Sequence, residues 1–182
     1  KMYAGDNVGE VKSENVLDKW ILTKLQVLIG DVTKGMESYH LVDASRPLVE
    51  FVTELSQWYV RRSRDRFKGE DESGKKAAIA TLHHVLVVLA KTLAPFTPFI
   101  AEKIWLELSG KKTSVHLEAW PEVDEKMLDE KVLSEMVLAR KVVELGLAAR
   151  AETGIKVKQP LQYIRYQSNQ LSEQLEKIIA EE

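Results

Sequence analysis

The chain has 182 residues, of which 26 are basic and 28 acidic; 45% are hydrophobic and none is cysteine. A chain of this length forms one domain, or one domain with part of a second, and can bury a sizeable core. The lack of cysteine excludes disulfides, zinc ribbons, iron–sulfur clusters and thiol nucleophiles. Because the formal net charge is −2, a nucleic-acid partner would have to bind a local basic patch.

The sequence lacks the long apolar runs that are typical of membrane proteins. Charged residues interrupt the apolar stretches well before about 18 residues, the length of a spanning helix, so we expect no membrane partner. Residues 1–6 contain no apolar core of a signal peptide. The chain begins with Lys and ends in Glu-Glu on an unfinished helical pattern, so we expect a piece of a longer protein.

Hydrophobic residues recur every three or four positions along most of the chain, which predicts helices. Four amphipathic helices of about 20, 23, 19 and 12 residues, joined by short loops, predict an antiparallel bundle. Asn15 and Asp43 are the expected N-caps of the first two helices, and Thr97-Pro98 begins the fourth. The third helix is expected over about 75–93.

The region after the bundle follows a different pattern. A fifth helix is expected from about 125 to 152, and Thr153-Gly154 ends it. Residues 155–158 and 163–166 alternate like strands, which predicts the start of a small α/β module. The predicted fold is therefore mainly α, with the bundle over 1–121 and the long helix with the truncated junction module over 122–182.

The end of the second helix carries a strong local charge. Residues 61–68 hold four arginines, one lysine and one aspartate. At about 100° per residue, Arg62 and Arg66 continue the apolar stripe. Arg61 and Arg64 then face the opposite side. Two interpretations are open: the arginines pair at the edge of the core, or they form a platform for phosphates and stacked bases. The candidate platform residues are Trp58, Arg61, Arg62, Arg64 and Arg66.

A second basic pattern lies in the predicted junction module. Alternation places Lys156 and Lys158 on one face of the predicted strand at 155–158. That face is either a contact for a phosphate backbone or the solvated side of an edge strand, where lysine discourages aggregation. The pattern alone does not choose between them.

The residues suggest no catalytic or metal site. His83 and His84 are adjacent on a helix, so their side chains point about 100° apart and cannot form an i, i+4 ligand pair. The sequence has no glycine-rich phosphate loop and no nucleophile elbow. No carboxylate stands isolated inside an apolar run, so we expect none with a raised pKa. We predict no catalytic residue, no metal and no cofactor in this chain.

Several motifs resemble the anticodon-binding helical domain of class I aminoacyl-tRNA synthetases, most closely the isoleucyl-tRNA synthetase family. Residues 55–67, Leu-Ser-Gln-Trp-Tyr-Val-Arg-Arg-Ser-Arg-Asp-Arg-Phe, resemble that family nearly residue for residue. Residues 154–161, Gly-Ile-Lys-Val-Lys-Gln-Pro-Leu, are similar to a second signature. Residues 93–102 resemble a helix junction that the valine and leucine enzymes share. Lys68 departs from the family, which usually has a bulky aromatic there.

The resemblance, which covers about residues 15–165, implies that the chain binds the anticodon arm of isoleucine tRNA. It also implies a longer, cytoplasmic and monomeric enzyme that activates isoleucine with ATP and Mg²⁺ and edits mischarged valine. The family's catalytic signatures, His-Ile-Gly-His and Lys-Met-Ser-Lys-Ser, are absent from this sequence. Two alternatives stay open: a helical module that binds an acidic protein, and the same domain of a valyl or leucyl enzyme.

Within the role that the resemblance implies, the candidate residues differ in what they are expected to do. Arg61 and Arg64 are the expected phosphate contacts, because they face away from the apolar stripe. Trp58, Arg62 and Arg66 are either contacts or supports of the platform. Lys156 and Lys158 are a second candidate tRNA surface.

Overall fold

The structure, a computed structural model, describes residues 13–167 and 171–182. It divides into two units, the first ending at Leu128 and the second running from Asp129 to Glu182. Both units are helical, and no strand occurs in the described ranges, so the predicted mainly α class is confirmed. The helices of the first unit are α1 (Val16–Glu37), α2 (Leu41–Glu54), α3 (Arg64–Lys68), α4 (Glu72–Leu93) and α5 (Pro98–Leu108). The second unit contains α6 (Glu130–Glu152) and α7 (Glu173–Ala180).

The core of the first unit is formed by the apolar faces of α1, α2 and α4. Helix α1 packs against both other helices, and α4 also packs against α5. Burial of these faces is the main stabilising contribution, since helices gain most of their stability in proteins from packing an apolar stripe. The largest buried side chains of this core include Trp20, Ile21, Leu25, Ile29, Phe51, Tyr59 and Val85.

The turn between α1 and α2 explains why one predicted cap is wrong. Asn15 caps α1 as expected, and its side chain accepts a hydrogen bond from the Leu17 N–H at 2.9 Å. Asp43, however, lies inside the first turn of α2, because α1 ends in a tight turn that brings the chain back early. In that turn the His40 N–H donates to the Gly35 carbonyl at 2.9 Å, the long-range bond of a Schellman motif.

Gly35 lets α1 and α2 approach closely beside this turn. A Cβ atom on Gly35 would lie 2.8 Å from the backbone of Ala44, which is closer than van der Waals contact allows. Both residues are buried. Gly30, one and a half turns earlier, has a different environment, since its Cβ would meet only a side-chain methyl of Val123 at 3.8 Å.

The predicted second helix contains a π-helical segment, Leu55–Val60, between α2 and α3. Each turn of a π-helix takes an extra residue, because its bonds run from i to i+5. The buried positions can therefore fall four residues apart, as in Leu55, Tyr59 and Ser63. The expectation of a constant 100° per residue is wrong here. Ser63 is fully buried, and Arg62 lies half-exposed beside the stripe.

Residues 122–128 belong to the first unit, beyond the predicted bundle limit of 121. The Asp124 N–H donates to the Gln26 Oε1 at 2.9 Å, and the Thr23 hydroxyl donates to the Met127 carbonyl at 2.9 Å. These bonds join the segment to buried polar residues of α1. Two 3₁₀ turns, Val115–Leu117 and Glu125–Met127, interrupt the otherwise irregular stretch after α5.

Helix α4 is the one helix in the described ranges that is long and apolar enough to cross a membrane by length and composition. One of its faces is buried within the first unit, including Ala78, Val85 and Leu89. A core helix with such a face meets the same criterion, so composition does not assign α4 to a membrane.

The second unit corrects the strand prediction. The predicted strand at 155–158 is replaced by a turn over 156–159, in which the Gln159 N–H donates to the Lys156 carbonyl at 2.9 Å. The Arg150 guanidinium donates from Nη1 to the carbonyls of Gln159 at 2.8 Å and Lys156 at 3.3 Å. Because the turn and the Arg150 side chain satisfy the carbonyls of Lys156 and Gln159, these groups do not form the hydrogen bonds of a β-sheet. Residues 163–166 are also irregular, and α7, which accounts for the helical pattern at the end of the sequence, packs against α6.

The two glycines of α1 make a matched test of this packing. We expect Gly35→Ala to lower the free energy of unfolding by about 1–3 kcal/mol, because the new methyl group forces α2 away from α1. Gly30→Ala should instead raise it by about 0.5–1 kcal/mol, since the helix gains propensity without a clash. Urea denaturation of the chain measures both. Equal stabilisation by the two substitutions would contradict the close contact at Ala44.

Candidate nucleic-acid interface

The basic helix end, residues 58–68, comprises the last residues of the π-helical segment and the whole of α3. Its arginines divide into two groups by exposure. Arg61 and Arg64 are exposed, whereas Arg62 and Arg66 are half-buried, as is Trp58. Arg61 and Arg64 thus lie on the exposed side of the helix, as predicted. Arg62 and Arg66 lie closer to the core.

Arg66 is held by the carboxylate of Asp18 in the first turn of α1. Its Nη1 donates to Oδ1 at 2.8 Å and its Nη2 donates to Oδ2 at 2.7 Å. Asp18 is completely buried, and the Arg66 side chain keeps 21% of its exposure. This bidentate geometry is the strongest form of an arginine–carboxylate pair.

Two further hydroxyl groups complete the surroundings of Asp18. The Tyr59 hydroxyl donates to Oδ1 at 2.8 Å, and the Ser13 hydroxyl donates to Oδ2 at 2.5 Å. The carboxylate therefore receives four hydrogen bonds, which is what a buried charge requires. Sequence analysis missed this arrangement. The available signal was an aspartate beside Leu17 and Ile21 on the apolar side of α1.

Electrostatic coupling keeps the partners of Asp18 in their donating forms. The hydrogen bond to Asp18 raises the pKa of Arg66 above its ordinary value. Burial raises the pKa of the Tyr59 phenol, and the nearby charge of Asp18 raises it further. Both groups consequently remain protonated donors across the physiological pH range.

The basic helix end is also joined to the start of α4. The Nη2 of Arg66 lies 3.4 Å from the Gly74 carbonyl, and the Tyr59 hydroxyl lies 3.2 Å from the Ala78 carbonyl. Asp71 caps α4 by accepting from the Ser73 N–H at 3.1 Å. The arginine side chain thus connects the basic helix end to two other helices of the first unit.

The exposed arginines present their charge away from this buried network. The Nε of Arg61 donates to the Gln57 carbonyl at 3.1 Å, which lays the side chain along its own helix. The Arg64 side chain makes no hydrogen bond or ion pair with any residue in 13–167 or 171–182. Guanidinium groups in such positions can bind phosphate oxygens with two parallel hydrogen bonds.

The second basic pattern lies in the second unit, on the turn that Arg150 holds. Lys156 and Lys158 are both exposed, and within the described part of the chain neither ammonium group has a partner. The turn separates them from the strand geometry that was predicted. Arg150, the residue that organises the turn, was not identified from the sequence because its partners are backbone carbonyls.

Comparison with known proteins gives a consistent result. The family model of the anticodon-binding domain of tRNA ligases matches residues 18–165. The isoleucine–tRNA ligase of Deinococcus radiodurans is 45% identical over 145 residues, covering 80% of this chain and 14% of that protein. That of Clostridium tetani is 42% identical over 176 residues, covering 93% of this chain and 17% of that protein.

A solved ternary complex of a LeuRS with tRNA, from Agrobacterium radiobacter, is 30% identical, with a TM-score of 0.46, and covers 64% of this chain and 13% of that chain. The chain spans 14–17% of the length of the two curated relatives.

Removal of the Asp18 charge tests the buried network. We expect Asp18→Asn to lower the free energy of unfolding by about 2–3 kcal/mol, because Arg66 loses its counter-charge while it stays partly desolvated. We expect a smaller loss of stability than for a fully buried ion pair, since water can reach part of the Arg66 side chain. Glu14→Gln is the control, because its pair with Lys19 is exposed and should matter little. Equal effects of both changes in urea denaturation would refute this role of Asp18.

Proposed function

Since the chain belongs to the anticodon-binding domain family of tRNA ligases, we propose that it binds the anticodon arm of isoleucine tRNA as part of a longer isoleucine–tRNA ligase. The exposed arginine pair on an anchored basic helix end carries the proposal. The identities of 45% and 42% to isoleucine–tRNA ligases support the choice of isoleucine over leucine or valine. Because the chain spans a small part of those relatives, activation, transfer and editing are proposed for parts of the enzyme outside it.

The basic helix end would bind the tRNA backbone through its exposed side. Arg61 and Arg64 would contact phosphates, which fix the register of the RNA but carry no sequence information. Arg66 acts as a support, since both of its terminal nitrogens are engaged by Asp18. Trp58 and Arg62, which are half-buried, would support the platform or stack against an unpaired base.

The second unit would add a separate contact. Lys156 and Lys158 extend from one turn, and their exposed ammonium groups are point charges that suit phosphates. Additional contacts of this kind raise affinity by releasing counterions from the RNA.

No group of three or more His, Asp or Glu that could hold a metal ion occurs among the residues that the structure describes. We propose that the ATP and Mg²⁺ of the longer enzyme, a cytoplasmic monomer, are bound outside this chain, because the chain spans only 14–17% of the curated relatives' length.

Discrimination between tRNAs tests the proposal as a whole. The chain is titrated with isoleucine tRNA, the same tRNA with an altered anticodon, and a leucine tRNA, at two salt concentrations. The proposal expects tighter binding to the unaltered isoleucine tRNA and loss of that preference when the anticodon changes. Equal, salt-sensitive binding to all three would refute specific anticodon recognition. Preference for an acidic protein over tRNA at equal salt would favour a protein-interaction module instead.

Substitution of Arg64 tests the proposed phosphate contact. We expect Arg64→Ala to weaken tRNA binding and to reduce the slope of log affinity against log salt by roughly one. Its free energy of unfolding should change little, since the side chain has no partner among the described residues. Arg46→Ala is the matched control, because Arg46 is an exposed arginine near the start of α2. Equal loss of affinity in both variants would show only a non-specific effect of charge.

A further inference from the structure

We propose that Tyr163 and Arg165, in the second unit, form a binding site for an unpaired nucleotide of the bound RNA. This inference rests on the proposed function, since it names a second part of the RNA that the same chain would hold. Neither residue belongs to the basic helix end, and both follow the turn that carries Lys156 and Lys158.

The Tyr163 ring is exposed and already lies beside a cation. Its side chain is 70% exposed, and the Arg165 guanidinium lies 5.5 Å from the ring centroid. An exposed tyrosine with an arginine plane is the combination on which unpaired bases stack in proteins that bind single-stranded RNA. Because the side chain is 70% exposed, most of the ring surface is accessible to a base.

The groove beside Tyr163 is mainly apolar and carries charge of both signs, from Arg150 and Glu182. Tyr163, Leu161 and Ile164 line a groove of about 330 Å³ together with residues of α6 and α7. Residues 150–166 contain four basic side chains and one acidic side chain, although the whole chain is negatively charged. The excess of positive charge in residues 150–166 favours a ligand with several negative charges, such as RNA.

Arg150 positions the phosphate-binding side of the site. It lines the same groove as Tyr163, and its two bonds to the carbonyls of Lys156 and Gln159 hold the intervening turn. The two lysines are therefore presented from an ordered turn rather than from a free loop. A base stacked on Tyr163 would have its own backbone within the field of this turn and of Arg165.

The experiment separates stacking from charge. Tyr163→Ala should weaken binding of isoleucine tRNA roughly 5- to 150-fold, the range expected for loss of one stacked base, while the salt slope stays unchanged. Tyr163→Phe keeps the ring and should restore binding. Arg165→Ala should weaken binding and also lower the salt slope by roughly 0.7. Phe99→Ala is the control, because Phe99 is an exposed aromatic of the first unit and should have no effect.

Two RNA probes identify the kind of nucleotide that is bound. Tyr163→Ala should weaken binding of an RNA hairpin with an unpaired loop and leave binding of a fully paired duplex of equal length unchanged. Equal loss on both probes, or failure of Tyr163→Phe to restore binding, would overturn the proposal. If the unsubstituted chain binds tRNA and Tyr163→Ala binds equally well, only this inference fails. If the unsubstituted chain binds no tRNA, the proposed function itself fails.

Discussion

A buried carboxylate, that of Asp18, joins three parts of the first unit. Tyr59 of the π-helical segment and Arg66 of α3 both donate to it, and Arg66 also reaches the start of α4 at Gly74. A buried ion pair adds little net stability compared with apolar packing, but loss of one partner leaves a costly unpaired charge. The pair therefore fixes the position of the basic helix end against α1. An arrangement without the Arg66 contact is disfavoured, because it would leave the buried charge of Asp18 unpaired.

This constraint gives arginines in one short segment different roles. The fork of Arg66 is directed inward to Asp18, whereas Arg61 and Arg64 are directed to solvent. The π-helical turn before them contributes to this division, because its extra residue turns Ser63 into the core. An arginine surface supported in this way loses less conformational freedom when it binds RNA than one on a mobile loop.

Local rules predicted the helices well and long-range contacts poorly. Asn15 at the start of α1, Pro98 in the first turn of α5 and Gly154 with a positive φ after α6 behave as their residue types suggest, although the Thr97 side chain makes no capping hydrogen bond to α5. The exposure of Arg61 and Arg64 also followed from periodicity. The Asp18–Arg66 pair did not, because its partners are 48 residues apart and each has closer candidates. The expected strand at 155–158 failed for a similar reason, since Arg150 takes up the carbonyls of that turn.

The most direct test of the account is to find where the RNA lies on the chain. Isoleucine tRNA with thiouridine in its anticodon loop is photo-crosslinked to the chain, and the attached peptides are identified by mass spectrometry. The account predicts crosslinks within residues 58–68, and fewer of them when the anticodon is altered. Crosslinks confined to α5 or to the turn between α1 and α2 would contradict it, because those surfaces lie outside the basic helix end.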